Sequence, residues 1–196
     1  MKRTLLTATA AFALAACGDS SPSPIEPGPP RFSSGQSWQI FTTQTPQEIL
    51  SGSSAWEVAT RFYTTVSGCI TGFQFYRAPG ETGANYVTLW TNSGTPLYSR
   101  KIADSYSGSG WQTIDVDPGV VGPPLDDEFC IPTGTYFRVS VNTNTKQAKT
   151  YAYLDNGPIV NGPLVADFSY YGQPAGSMPT QGSGSIYFVG VIFRED

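Results

Sequence analysis

From Ser37 onward, apolar residues recur at every second position in short runs, and clusters of Gly, Pro, Asn and Ser break each run. Trp56, Val58, Thr60 and Phe62 alternate with Glu57, Ala59, Arg61 and Tyr63. Cys69, Thr71, Phe73 and Phe75 alternate in the same way with Ile70, Gly72, Gln74 and Tyr76. A repeat of two sends successive side chains to opposite faces of an extended strand, whereas a helix repeats at about 3.6. No stretch beyond about eight residues keeps the helical repeat, so helices are excluded as the framework. Further strand-like runs cover 86–90, 97–102, 111–116, 135–141, 151–154, 168–171 and 186–193. Residues 78–84, Asn92-Ser93-Gly94 and residues 105–110 read as turns or loops between them. Eight to ten short strands in about 160 residues predict an all-β fold, an antiparallel β-sandwich of the jelly-roll or carbohydrate-binding-module-like kind. No fixed-spacing repeat is present, so a propeller or solenoid is not expected.

Composition then narrows the chemistry. Among 196 residues there is no histidine, which excludes a Ser-His-Asp triad, a Cys-His pair, His-ligated zinc and a histidine base. With 11 Lys+Arg against 15 Asp+Glu and a net charge of −4, no nucleic-acid partner is expected.

The N-terminus reads as an address. Lys2 and Arg3 precede an uncharged stretch over 4–16, too short to cross about 30 Å of hydrocarbon and of signal-peptide proportions. Its end, Leu14-Ala15-Ala16-Cys17, resembles the lipobox of bacterial lipoprotein precursors. That resemblance implies a lipoprotein signal peptide over 1–16, cut before Cys17. It also implies that Cys17 carries lipid, a diacylglyceryl group with acyl chains such as palmitate. Gly18 rather than Asp follows, which implies a membrane anchor in the cell outer membrane. Residues 17–36 then form a Pro/Ser-rich tether and 37–196 a single domain. Cys69 and Cys130 remain as an even pair in an oxidising space, where a disulfide bond between two strands is expected. It would close a loop of about 60 residues, worth up to about 4 kcal/mol. The alternative is two buried free thiols.

Nine landmarks follow in order: Glu57 with Phe62, Thr71-Gly72-Phe73-Gln74-Phe75-Tyr76, Leu89-Trp90, Gly110-Trp111-Gln112-Thr113, Tyr136 to Val141, Gly162-Pro163-Leu164, Tyr171-Gly172, Pro179-Thr180, and Tyr187 to Phe193. The series resembles the bacterial domain-of-unknown-function family 4082, across about residues 56–193. The resemblance implies a secreted β-sandwich of the sort that accompanies adhesin-like and carbohydrate-active modules, with binding or display as its role. The chain departs from the pattern at Phe188 and Gly190, at Arg138, and at the inserted acidic run Asp126-Asp127-Glu128.

Tyr151, Tyr153, Tyr170 and Tyr171 flank turns, where exposed aromatic faces form platforms for sugar rings; edge-strand packing is the alternative. Such a platform needs no ionisable group, so binding is expected to change little between about pH 5 and 8. Trp90 and Trp111 are expected to pack in the core. No cofactor is expected beyond a structural calcium, for which Asp126, Asp127, Glu128 and Asp155 are weak oxygen donors. The sequence therefore points to a lipid-anchored, non-catalytic binding module of the bacterial envelope whose partners are the membrane and a polysaccharide or another envelope protein. A purely structural or protein-interaction domain is the alternative, and a glycosidase built on paired carboxylates a distant third.

Overall fold

The alternating runs fold as strands, and the computed structural model, which describes residues 35–116 and 129–196, is an antiparallel β-sandwich. Along the chain come β1 (Ser37–Gln39), β2 (Glu48–Ser51), β3 (Trp56–Thr64), β4 (Gly68–Arg77) and β5 (Asn85–Thr91). They are followed by β6 (Pro96–Ala103), β7 (Gly110–Asp115), β8 (Phe129–Ile131), β9 (Phe137–Thr143) and β10 (Lys146–Lys149). A 3-10 turn, Tyr153–Asn156, precedes β11 (Ile159–Asn161), β12 (Leu164–Gly172), β13 (Gln181–Ser183) and β14 (Val189–Glu195).

One sheet has the order β11-β12-β3-β9-β5-β6, with β13 also against β12. The other runs β1-β14-β4-β7, with β8 also against β4, and β10 and β2 form a separate ribbon. Val58, Phe62, Leu89, Val139 and Val141 of the larger sheet share one buried cluster with Ile70, Phe73, Phe75, Val191 and Phe193 of the smaller. Each of these ten is 2% exposed or less, and burying such a side chain contributes roughly 1.5–3 kcal/mol.

Two of the expected strands break, each at a residue in the left-handed region. Residues 151–154 leave the extended form at Ala152, whose φ is 50°, and run into the 3-10 turn. The run 186–193 is interrupted by Phe188, with φ 53°, so β14 begins only at Val189. A left-handed residue with a side chain is costly by about 1–2 kcal/mol. At Phe188 full burial against Phe41 and Trp111, with ring centroids 5.4 and 6.1 Å away, offsets that cost. Gly190 leaves room for a neighbouring segment: a Cβ there would lie 3.2 Å from both Ile40 and Phe41.

Cys69 of β4 and Cys130 of β8 are register partners and form a disulfide, which disposes of the free-thiol alternative. At the far end of β4, Arg77 is 1% exposed. Its guanidinium donates to the side-chain oxygen of Asn85 and to the carbonyls of Glu81 (2.9 Å), Gly83 (3.1 Å) and Ser105 (3.5 Å). Asn85 passes the link on, donating from Nδ2 to Glu81 Oε1 at 3.3 Å and to the Asn142 carbonyl at 2.7 Å. The Glu81 carboxylate in turn accepts the backbone N–H groups of Asn144, Thr145 and Lys146 at 2.6, 3.0 and 2.6 Å. One Arg–Asn–Glu relay thus fixes two loops and the β9–β10 turn.

The sandwich has two poles. At one, Trp56 opens β3 opposite Thr143, the last residue of β9. At the other, Arg194 lies opposite both Ser37 of β1 and the bridged Cys69.

Candidate functional site

At the pole where β3 begins and β9 and β12 finish, a pocket of about 390 Å3 opens. Its walls include Trp56, Tyr151, Tyr171 and Tyr187, with the side chains of Lys146 and Lys149 beside them. Trp56 and Tyr171 have ring centroids 5.9 Å apart, and Tyr171 and Tyr187 6.3 Å apart. The left-handed turn at Ala152 leaves Tyr151 59% exposed, and the Lys149 ammonium sits 3.5 Å from its ring centroid. Ser51, Ser54, Ser183 and Ser185 add hydroxyls around the aromatics. Burial pushes the Tyr187 phenol above its ordinary value, against a hydrogen bond with Ser183 that pulls it down, so it stays neutral through the physiological range. Apolar ring faces ringed by hydroxyls and amides suit a saccharide, whose C–H faces stack while its hydroxyls exchange hydrogen bonds.

Of the four tyrosines singled out by sequence, the structure brings Tyr151 and Tyr171 together in this pocket. Tyr153 is instead packed, half-buried, against the core. Tyr170 follows its neighbour onto the opposite face of β12, as strand alternation requires. There the Arg138 guanidinium stacks 3.7 Å from the Tyr170 ring centroid. Arg138 is thereby explained: it points away from the core and donates to the Asn92 side chain (3.2 Å) and the Pro179 carbonyl (3.0 Å). Trp56, Tyr187, Lys146 and Lys149 belong to the pocket although the sequence singled out none of them. Cys17, Asp126, Asp127 and Glu128 lie outside the described residues. Asp155 is exposed on the 3-10 turn. The group of metal-ligand type found among the described residues is Cys69, Cys130 and Asp196, and both of its sulfurs are spent on the disulfide.

The outer face of the larger sheet holds a second cleft, of about 400 Å3. Glu57 is the one acidic residue among the described residues lining it, so the two carboxyls that glycoside hydrolysis needs are not gathered there. The indole N–H of Trp90 donates to the Ser140 hydroxyl at 2.8 Å, and that hydroxyl donates to Glu57 Oε1. The Gly176 N–H donates to Glu57 Oε2 at 2.8 Å. Trp90 is thus buried as expected, but on the outer face, while Trp111 packs beside Phe41 and Tyr76 at 5.6 Å from each.

Burial raises the Glu57 pKa from 4.5 to about 7, against the opposing pull of the Ser140 and Gly176 hydrogen bonds. The folded chain therefore keeps a proton that the unfolded chain has already released between those two values. Stability from this group is full below pH 4.5 and is lost as pH rises through 7. Between pH 5.5 and 8.5 the loss should be about 2 kcal/mol. In Glu57→Gln, which imitates the protonated form, that slope should vanish. Urea denaturation at the two pH values measures it, and an equal slope in both proteins would remove Glu57 as the cause.

The family model described as Domain of unknown function (DUF4082) matches residues 42–189. Among solved structures, the chain is similar to the crystal structure of the cysteine protease and lectin-like domains of Cwp84, a surface layer associated protein of Clostridium difficile. That likeness has 15% identity and a TM-score of 0.46, and it covers 76% of this chain and 34% of that one. This chain therefore spans about a third of that structure. Comparison with curated proteins finds no match.

Proposed function

The chain belongs to the DUF4082 family, and from that premise we propose that it is a non-catalytic module of the bacterial envelope that holds a glycan or surface polymer in the pocket around Trp56. The observation that carries this is the gathering of four aromatic side chains and several hydroxyls at one pole. Polarity of the fold supports it further. Strand β1 enters the domain at the pole opposite the pocket. The Leu14-Ala15-Ala16-Cys17 sequence supports a lipid at Cys17, and residues 17–36 supply the spacer. A disulfide fits an oxidising compartment outside the cytoplasm.

A glycan array on the purified protein, followed by calorimetry, tests the pocket. Tyr151→Ala should weaken binding about ten-fold while the melting temperature stays within about 2 °C, because Tyr151 is largely exposed. Trp56→Ala should weaken it by at least as much. If no glycan binds at millimolar concentration, a structural or protein-interaction role in the envelope becomes the better account. Anchoring has its own test: Cys17→Ser should leave the protein unprocessed or released from membranes on fractionation. A variant that fractionates and migrates like the wild type would refute the lipid.

A further inference from the structure

We propose that the pocket selects an acidic saccharide, one whose sugar rings bear carboxylates, over a neutral one; this rests on the glycan-binding reading of the same pocket. The chain as a whole is acidic, with 15 Asp+Glu and a net charge of −4, yet no acidic residue is among the described residues lining the pocket, and two lysines are. Neither ammonium has a carboxylate partner among the described residues. The Lys149 side chain is the more telling. The residue is 7% exposed, and its charge rests on the face of Tyr151, a weaker partner than an anion. The Lys146 ammonium donates to the Ser51 hydroxyl at 2.6 Å, a neutral partner that leaves its charge uncompensated.

Neither nearby acid forms an ion pair with the two lysines. Glu81 spends both oxygens on the N–H groups of the β9–β10 turn, and Glu48, the register partner of Lys149, forms no ion pair with it. A buried cation without a counter-ion is unfavourable, so a ligand that brings a carboxylate gains both the charge-assisted hydrogen bond and the relief of that cost. A uronate places its carboxylate on the edge of the ring. Stacking of the ring on Trp56 or Tyr171 and pairing of its edge with a lysine are then compatible in one pose.

The probes are a hexamer of galacturonate and the same hexamer fully methyl-esterified, which keeps ring and length and removes charge. Calorimetry on the purified protein should show the acid binding about ten-fold tighter than the ester, as expected for one charge-assisted hydrogen bond. Raising salt from about 0.05 to 0.5 M should shrink the difference. The Lys146→Gln/Lys149→Gln double variant should lose the preference, binding acid and ester about equally. Lys146→Gln alone, at the more exposed position, should lose part of it and guards against misfolding of the double variant. Equal affinities for acid and ester, or a preference that survives the double substitution, would overturn the acidic-saccharide proposal and leave glycan binding standing. Failure of both probes and of every glycan at millimolar concentration would overturn the two together.

Discussion

Replacing Arg77 with Met should cost about 5 kcal/mol of stability, with the unfolded fraction read from guanidinium denaturation. The two side chains have similar reach, so little volume is lost. What disappears is the donor fork. Three carbonyls, those of Glu81, Gly83 and Ser105, and the side-chain oxygen of Asn85 lose a charged donor together. Each buried acceptor left unmade costs about 1–3 kcal/mol, and water entering at the Ser105 side recovers only part of the sum. Arg77→Lys keeps the charge but not the planar fork, so about half the loss should remain. Because Glu81 ties this relay to the turn that carries Lys146, the Met variant should also weaken the saccharide binding proposed for the pocket. A cost below about 1 kcal/mol would show that the loops hold themselves without the guanidinium.

Removing the disulfide should cost about 4 kcal/mol, because Cys69 and Cys130 are 61 positions apart and the bridge limits the unfolded chain over that whole span. The double variant Cys69→Ser/Cys130→Ser is the comparison, with wild type measured in the presence and absence of a reductant. Reductant should lower the wild-type midpoint to that of the variant and leave the variant unchanged. Strand β8 has only three residues, and its pairing with β4 should be the first part of the sheet to exchange amide protons once the bridge is gone. A variant as stable as wild type would mean that the strand pairing alone fixes this pole.

The framework was legible because eight of the strands run to six or more residues, long enough for alternation to show. Strands of three or four residues, such as β1, β8, β11 and β13, carry no readable period; their partners, not their own sequences, make them strands. The same limit hid part of the site. Lys146 and Lys149 come from β10, whose sequence Lys-Gln-Ala-Lys has no apolar signal. Tyr170 and Tyr171 are one step apart in sequence, and only the sheet's orientation decides which of them meets Trp56. Ala152 and Phe188 ended expected strands through backbone conformations that residue type does not announce. Glu57 shares its half of the alternating β3 pattern with Ala59, Arg61 and Tyr63, and nothing in that pattern signals its burial. The backbone at Gly176 lies over it, so the group sits buried and titrates at about 7. The expectation that binding changes little between about pH 5 and 8 concerns the tyrosine platform; Glu57 lies in the other cleft, and its burial puts a pH dependence into stability instead.

Strand β1 has a further consequence once force is considered. It runs antiparallel to β14 from the pole opposite the pocket, so a pull between the chain ahead of Ser37 and a polymer bound as proposed near Trp56 would act along the strands. Pulled lengthwise, the β1–β14 hydrogen bonds share the load at once instead of opening one after another. The covalent link between Cys69 and Cys130 lies opposite Arg194, where that load enters, and it keeps β8 joined to β4 even if β14 gives way.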